Sequence, residues 1–74
     1  MDDFCVLEIL DAVKLCKLGQ YKSAVLCFER ALDAGPQDIG LLITICSQLG
    51  NGHFCLKDYS ASFDFHQRAL DLSW

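Results

Sequence analysis

Cys5, Cys16, Cys27, Cys46, Cys55, His53 and His66 are the residues of this 74-residue chain whose types could support covalent or metal chemistry. A tetrahedral zinc site needs converging donors, most readily supplied by CxxC pairs, and the sequence has no such pair. His53 and Cys55 are near neighbours, with Cys46 seven residues before His53. Residues two apart on a helix point about 200° away from one another, so His53 and Cys55 cannot close one site locally. There is no Gly-rich phosphate loop, nucleophile elbow or HExxH motif, and neither histidine lies beside a plausible nucleophile. The chain is therefore expected to be no enzyme and to carry no metal or cofactor. Its cysteines are odd in number, widely spaced and set in apolar helical positions, and they read as free buried thiols acting as small hydrophobes.

Composition narrows the remaining classes. A formal charge of −4 offers no clustered basic footprint, so nucleic acid is not an expected partner. Asp2 and Asp3 stand where a signal peptide would carry positive charge. The longest apolar run, LLITIC, is far short of the ~20 residues of a membrane span. These features predict a soluble, cytoplasmic protein. An apolar fraction of 53% argues against disorder and for a single small packed domain.

The elements that would position any site are helices. In QYKSAVLCFERALDAGP, Tyr21, Ala24, Val25, Phe28, Ala31 and Leu32 follow spacings of three and four. Gly35 and Pro36 stop that helix, which spans about fourteen residues. Before it, Asp2 or Asp3 is the N-cap candidate of a first helix, and Lys14 and Lys17 fall in its last turn. Asp38 is placed to cap a third helix running through SQLGNGHF, and Asp58 a fourth. The apolar run at 41–45 is assigned to buried helix because helical context flanks it. The prediction is an all-α fold.

With an offset of 38, the window 18–33 falls on 56–71 and six of sixteen positions are identical: Leu18/Leu56, Tyr21/Tyr59, Arg30/Arg68, Ala31/Ala69, Leu32/Leu70 and Asp33/Asp71. Two helix-turn-helix units thus follow one another, at about 3–35 and 39–72. The residues Gly19, Tyr21, Ala24, Phe28, Ala31 and Pro36, then Leu49, Gly50, Tyr59 and Ala69, resemble the tetratricopeptide repeat pattern. The long offset, together with SQLGN followed by an aromatic, a charged turn and DY, resembles one subgroup, the Pins/LGN family of spindle-orientation and G-protein regulators. Departures include Lys57 in the place of Gly19, Ser62 and His66 where small and aromatic residues are expected, and Asp11-Ala12 in the place of Leu49-Gly50.

The resemblance implies a right-handed solenoid fragment of four helices, with the first helix of each unit lining a concave groove. That groove would be built from Val6, Ile9, Val13, Cys16 and Lys17 in the first unit and Thr44, Ser47, Asn51, Phe54 and Cys55 in the second. It is apolar at one end and hydrogen-bonding at the other. An Asn amide offers a donor and an acceptor to an extended peptide, which makes Asn51 the leading contact; its alternative is a solvated or helix-bonded side chain. Clamping of a chaperone's terminal carboxylate would need Lys and Asn where Ile9 and Val13 stand. Gly50 is expected to let Ser62 or His66 approach bare backbone, and Gly52 only to soften the helix. His66, at the register of Phe28, is expected to be a packed ring.

The expected role is a noncatalytic module binding a protein or peptide, with partners of the polarity and spindle-orientation type and recruitment to the cell cortex. The alternative is self-association, or docking to a larger scaffold, through an open face of Phe63, Phe65, Leu70 and Trp74. A structural remnant without a specific ligand is the third reading.

Overall fold

The computed structural model describes residues 2–73. Its helices are α1 (Asp3–Lys17), α2 (Tyr21–Asp33), α3 (Ile39–Cys55) and α4 (Tyr59–Leu72), and no strand occurs among the described residues. The all-α expectation holds, and residues 41–45 lie inside α3.

Local chemistry explains the boundaries. Asp38 Oδ1 accepts the Leu41 N–H at 3.1 Å and Asp58 Oδ1 accepts the Ala61 N–H at 3.4 Å, so both expected N-caps form. The two short turns after α1 and α3 reverse the chain through one left-handed residue each, Gly19 at φ 77° and Lys57 at φ 65°. These two residues are 38 apart, so the repeat extends to backbone conformation even where the side chain departs from it. Gly35, at φ 69°, ends α2 ahead of the buried Pro36.

Asp2 corrects the expectation for α1. It occupies the N-cap position without capping the helix. Its Oδ1 and Oδ2 instead accept the N–H groups of Gln37 and Asp38, both at 3.3 Å. The start of α1 lies beside the α2–α3 junction, whose N–H groups precede the first turn of α3 and need an acceptor.

Consecutive helices pack on one another, α1 on α2, α2 on α3 and α3 on α4, while α1 meets α3 over a smaller contact. Among the described residues the backbones of α1 and α2 do not come close to that of α4. The shortest dimension, 16 Å, is what two helix layers about 8–10 Å apart require. Phe28, Ile45 and Leu49 are fully buried at the centre, with Ala12, Ala24 and Ala31 between them.

Two glycines allow α3 to sit close to both neighbours. A Cβ on Gly50 would stand 2.6 Å from His66 Nε2, the close approach to α4 expected there. A Cβ on Gly52 would stand 2.7 Å from Val25 Cγ2. Gly52 is therefore a packing residue against α2 and not merely a point of softness.

Candidate functional site

The predicted groove residues divide into a buried seam and an open face. On α1, Ile9, Val13 and Cys16 are half-buried and pack against the core, whereas Val6 and Lys17 are exposed. On α3, Thr44, Asn51, Phe54 and Cys55 are exposed. Ser47 is half-buried and turns toward α4, where it lines a cleft with Ile43 and His66. The seam leaves Val6 and Lys17 as the most accessible of the five α1 positions.

The state of each side chain limits what it can offer a ligand. The Thr44 hydroxyl donates to the Gly40 carbonyl at 2.9 Å, so its proton is engaged and its lone pairs remain. Phe54 packs edge-on against Tyr59, with ring centroids 5.3 Å apart, which fixes an exposed apolar wall at the end of α3. Asn51 is exposed, and no hydrogen bond within the described residues engages its amide. Its donors and acceptor are available together.

The ends of α1 and α3 meet at Cys16 and Cys55. Burial pushes the Cys16 thiol up from its ordinary value, and the neighbouring Cys55 adds to the effect. Burial does the same to Cys27 and Cys46, against the opposing pull of Arg30 and Arg68. Thiols held protonated are poor nucleophiles. The Cys5 thiol donates to the Ala31 carbonyl at 3.3 Å, a structural use of the group. Among the described residues no three of His, Cys, Asp and Glu are gathered as metal ligands would be.

The proposed self-association face is rearranged. Phe63 and Leu70 are exposed, but Phe65 turns inward, its ring stacked on His53 at 5.5 Å with 6° between the planes. Residues two apart on a helix face opposite sides, so Phe63 and Phe65 cannot share one surface. Trp74 lies outside the described residues. His66 also departs from expectation: its ring rests over Gly50 but the residue stays exposed, unlike the fully buried Phe28 at the same register.

Two positions escaped the sequence reading. Leu10, exposed on α1, lies between Val6 and Val13 at spacings of four and three. Gln48, its equivalent on α3, stands in the same relation to Thr44 and Asn51. The helical spacing alone would have found both.

The molecule is thus an all-helical protein of two packed helix pairs, with the outer faces of α1 and α3 open. No protein-family model matches the chain. It is homologous to G-protein-signaling modulator 1: it is 40% identical to the Mus musculus protein over 73 residues, 99% of this chain and 11% of that protein. The Homo sapiens protein is 37% identical over the same length. The chain spans about a tenth of the length of these relatives. No helix among the described residues is long and apolar enough to cross a membrane.

Proposed function

We propose that this chain is a noncatalytic interaction module whose two helix pairs are tetratricopeptide units, binding an extended peptide along the open faces of α1 and α3. The observation that carries the proposal is Asn51, exposed and with its amide unengaged between the Thr44 oxygen and the Phe54–Tyr59 wall. An extended strand presents alternate N–H and C=O groups that an amide pairs with in both directions. Val6, Leu10 and Phe54 supply apolar contact, and Lys17 a charge at the C-terminal end of α1.

The relatives are G-protein-signalling modulators by name, which supports a role in assembling signalling proteins and no catalytic step. The resemblance to the Pins/LGN subgroup extends the proposal to polarity and spindle-orientation partners and to a cytoplasmic module recruited to the cortex. Asn51→Ala tests the contact. It should weaken a groove ligand about tenfold, within the range of one hydrogen-bonded amide, at unchanged thermal stability. Equal affinity in both proteins removes Asn51 from the site.

A further inference from the structure

The two helix pairs use one arginine position in different ways. On the first pair Arg30 of α2 donates from Nε to Glu8 Oε1 and from Nη2 to Glu8 Oε2, both at 3.3 Å, so its fork closes on a carboxylate of α1. The same Nη2 lies 3.2 Å from Cys27 Sγ. Shifted by 38, Arg30, Glu8 and Cys27 become Arg68 on α4, Cys46 on α3 and Phe65 on α4. The arginine is kept and the carboxylate is not, because a fully buried cysteine stands in the place of Glu8. Burial pushes the Cys46 thiol up against the opposing pull of Arg68, so it returns no negative charge at neutral pH.

An aromatic face takes over the contact. Arg68 Cζ lies 5.5 Å from the centroid of the Phe65 ring, and that ring is itself stacked on His53 with 6° between the planes. The stack fixes where the guanidinium sits, but a ring face supplies no full charge to neutralise it, and the donors of the rigid fork stay unused. Its own helix does not neutralise it either. Among the described residues Arg68 makes no ion pair, although Asp64 stands four residues before it and Asp71 three after. Asp71 instead accepts from Gln67, Nε2 to Oδ1 at 3.2 Å. Arg68 is exposed, which leaves its donors accessible.

We infer that Arg68, held over Phe65, is a recognition site for a carboxylate of a protein partner, an acidic side chain that supplies what Glu8 supplies within the first pair. The net charge of −4 gives the chain no general attraction for anions, so a carboxylate bound here is held by this one guanidinium. The partner's acidic group approaches from outside the α3–α4 pair, since Cys46 closes the place from within. None of Cys46, Phe65 and Arg68 belongs to the proposed groove, and the inference does not depend on it.

The test follows the arginine Nε–Hε signals and the amides of the full isotope-labelled chain, reduced, during titration with acetyl-Ala-Glu-Ala-amide. The uncharged control is acetyl-Ala-Gln-Ala-amide. Saturable shifts at Arg68 and at the Phe65 amide are expected with the glutamate peptide alone, and binding about tenfold weaker at Arg30, whose fork is already occupied. Removing the internal carboxylate with Glu8→Ala should make Arg30 respond as Arg68 does. The Arg68→Gln chain, altered at an exposed position, should keep its dispersed spectrum and lose the Phe65 shift. Equal responses of Arg30 and Arg68 in the parent chain would reduce the effect to nonspecific charge and overturn the proposal. So would the lack of a saturable shift at Arg68, a Phe65 shift that survives Arg68→Gln, or an Arg30 still silent after Glu8→Ala. Broadening at Arg68 with protein concentration in the absence of peptide would assign the site to a second copy and overturn it equally.

Discussion

Gly52 on α3 lies so near Val25 on α2 that a single added carbon would stand 2.7 Å from Val25 Cγ2. The contact joins the two helix pairs, and its partner is a buried β-branched side chain with little rotamer freedom. A carbon added at Gly50, two residues earlier, would instead press on the end of the exposed His66 side chain, which can swing away.

The two glycines should therefore respond differently to alanine. Gly52→Ala is expected to destabilise the fold by about 1–3 kcal/mol, the usual range for overpacking a core. Gly50→Ala should stay within about 1 kcal/mol of the parent, because the gain in helix propensity offsets the displacement of the ring. Urea unfolding of both variants decides the order; equal losses would contradict it.

Asp2 ties the start of α1 to the α2–α3 junction through two backbone N–H groups. Asp2→Ala should lower stability by about 0.5–1.5 kcal/mol, the net worth of a hydrogen bond of this kind. Helix content should not change, since the side chain does not cap α1. Thermal melts and far-ultraviolet circular dichroism together test this; a loss of helicity without a loss of stability would assign Asp2 to the cap instead.

Helix boundaries, caps and the glycine at position 50 were legible in the sequence because each depends on residues close in the chain or in the repeat. Asp38 and Asp58 cap the backbone three residues ahead, whereas the left-handed turn at Lys57, read in the sequence only as a departure from Gly19, came from the structure. Asp2, Gly52 and Phe65 were misread for the converse reason. Their partners Gln37, Val25 and His53 lie on other elements, and which faces meet is decided by packing. Of the residues proposed for the groove, helical spacing places Thr44, Asn51 and Phe54 on one side of α3, and burial separates the accessible Asn51 and Phe54 from the half-buried Ile9 and Val13.

The cysteines should react in an order set by exposure. Cys55 is exposed, Cys16 half-buried, and Cys5, Cys27 and Cys46 buried. Alkylation of the native protein followed by mass spectrometry should label Cys55 first, and the buried three only on a timescale set by opening of the fold. Early modification of Cys46 would contradict this packing.

The raised thiols also give a pH dependence. Where burial holds Cys46 protonated in the folded state, the unfolded chain loses its proton first as pH rises. The stabilisation is complete below the unfolded thiol range and is lost progressively above about pH 8.5. Cys46→Ala should be less stable than the parent at neutral pH, by the cavity it leaves, with a gap that narrows toward pH 10. Melting temperatures across that interval test the sign; a widening gap would reverse it.

The peptide groove itself is tested most directly by titrating the reduced, isotope-labelled chain with extended peptides from polarity and spindle-orientation proteins and following its amide spectrum. Saturable shifts centred on Thr44, Asn51 and Phe54, the exposed positions of α3, weakened about tenfold by Asn51→Ala, are the expected result. A well-dispersed spectrum in which those three amides ignore every peptide would contradict the groove.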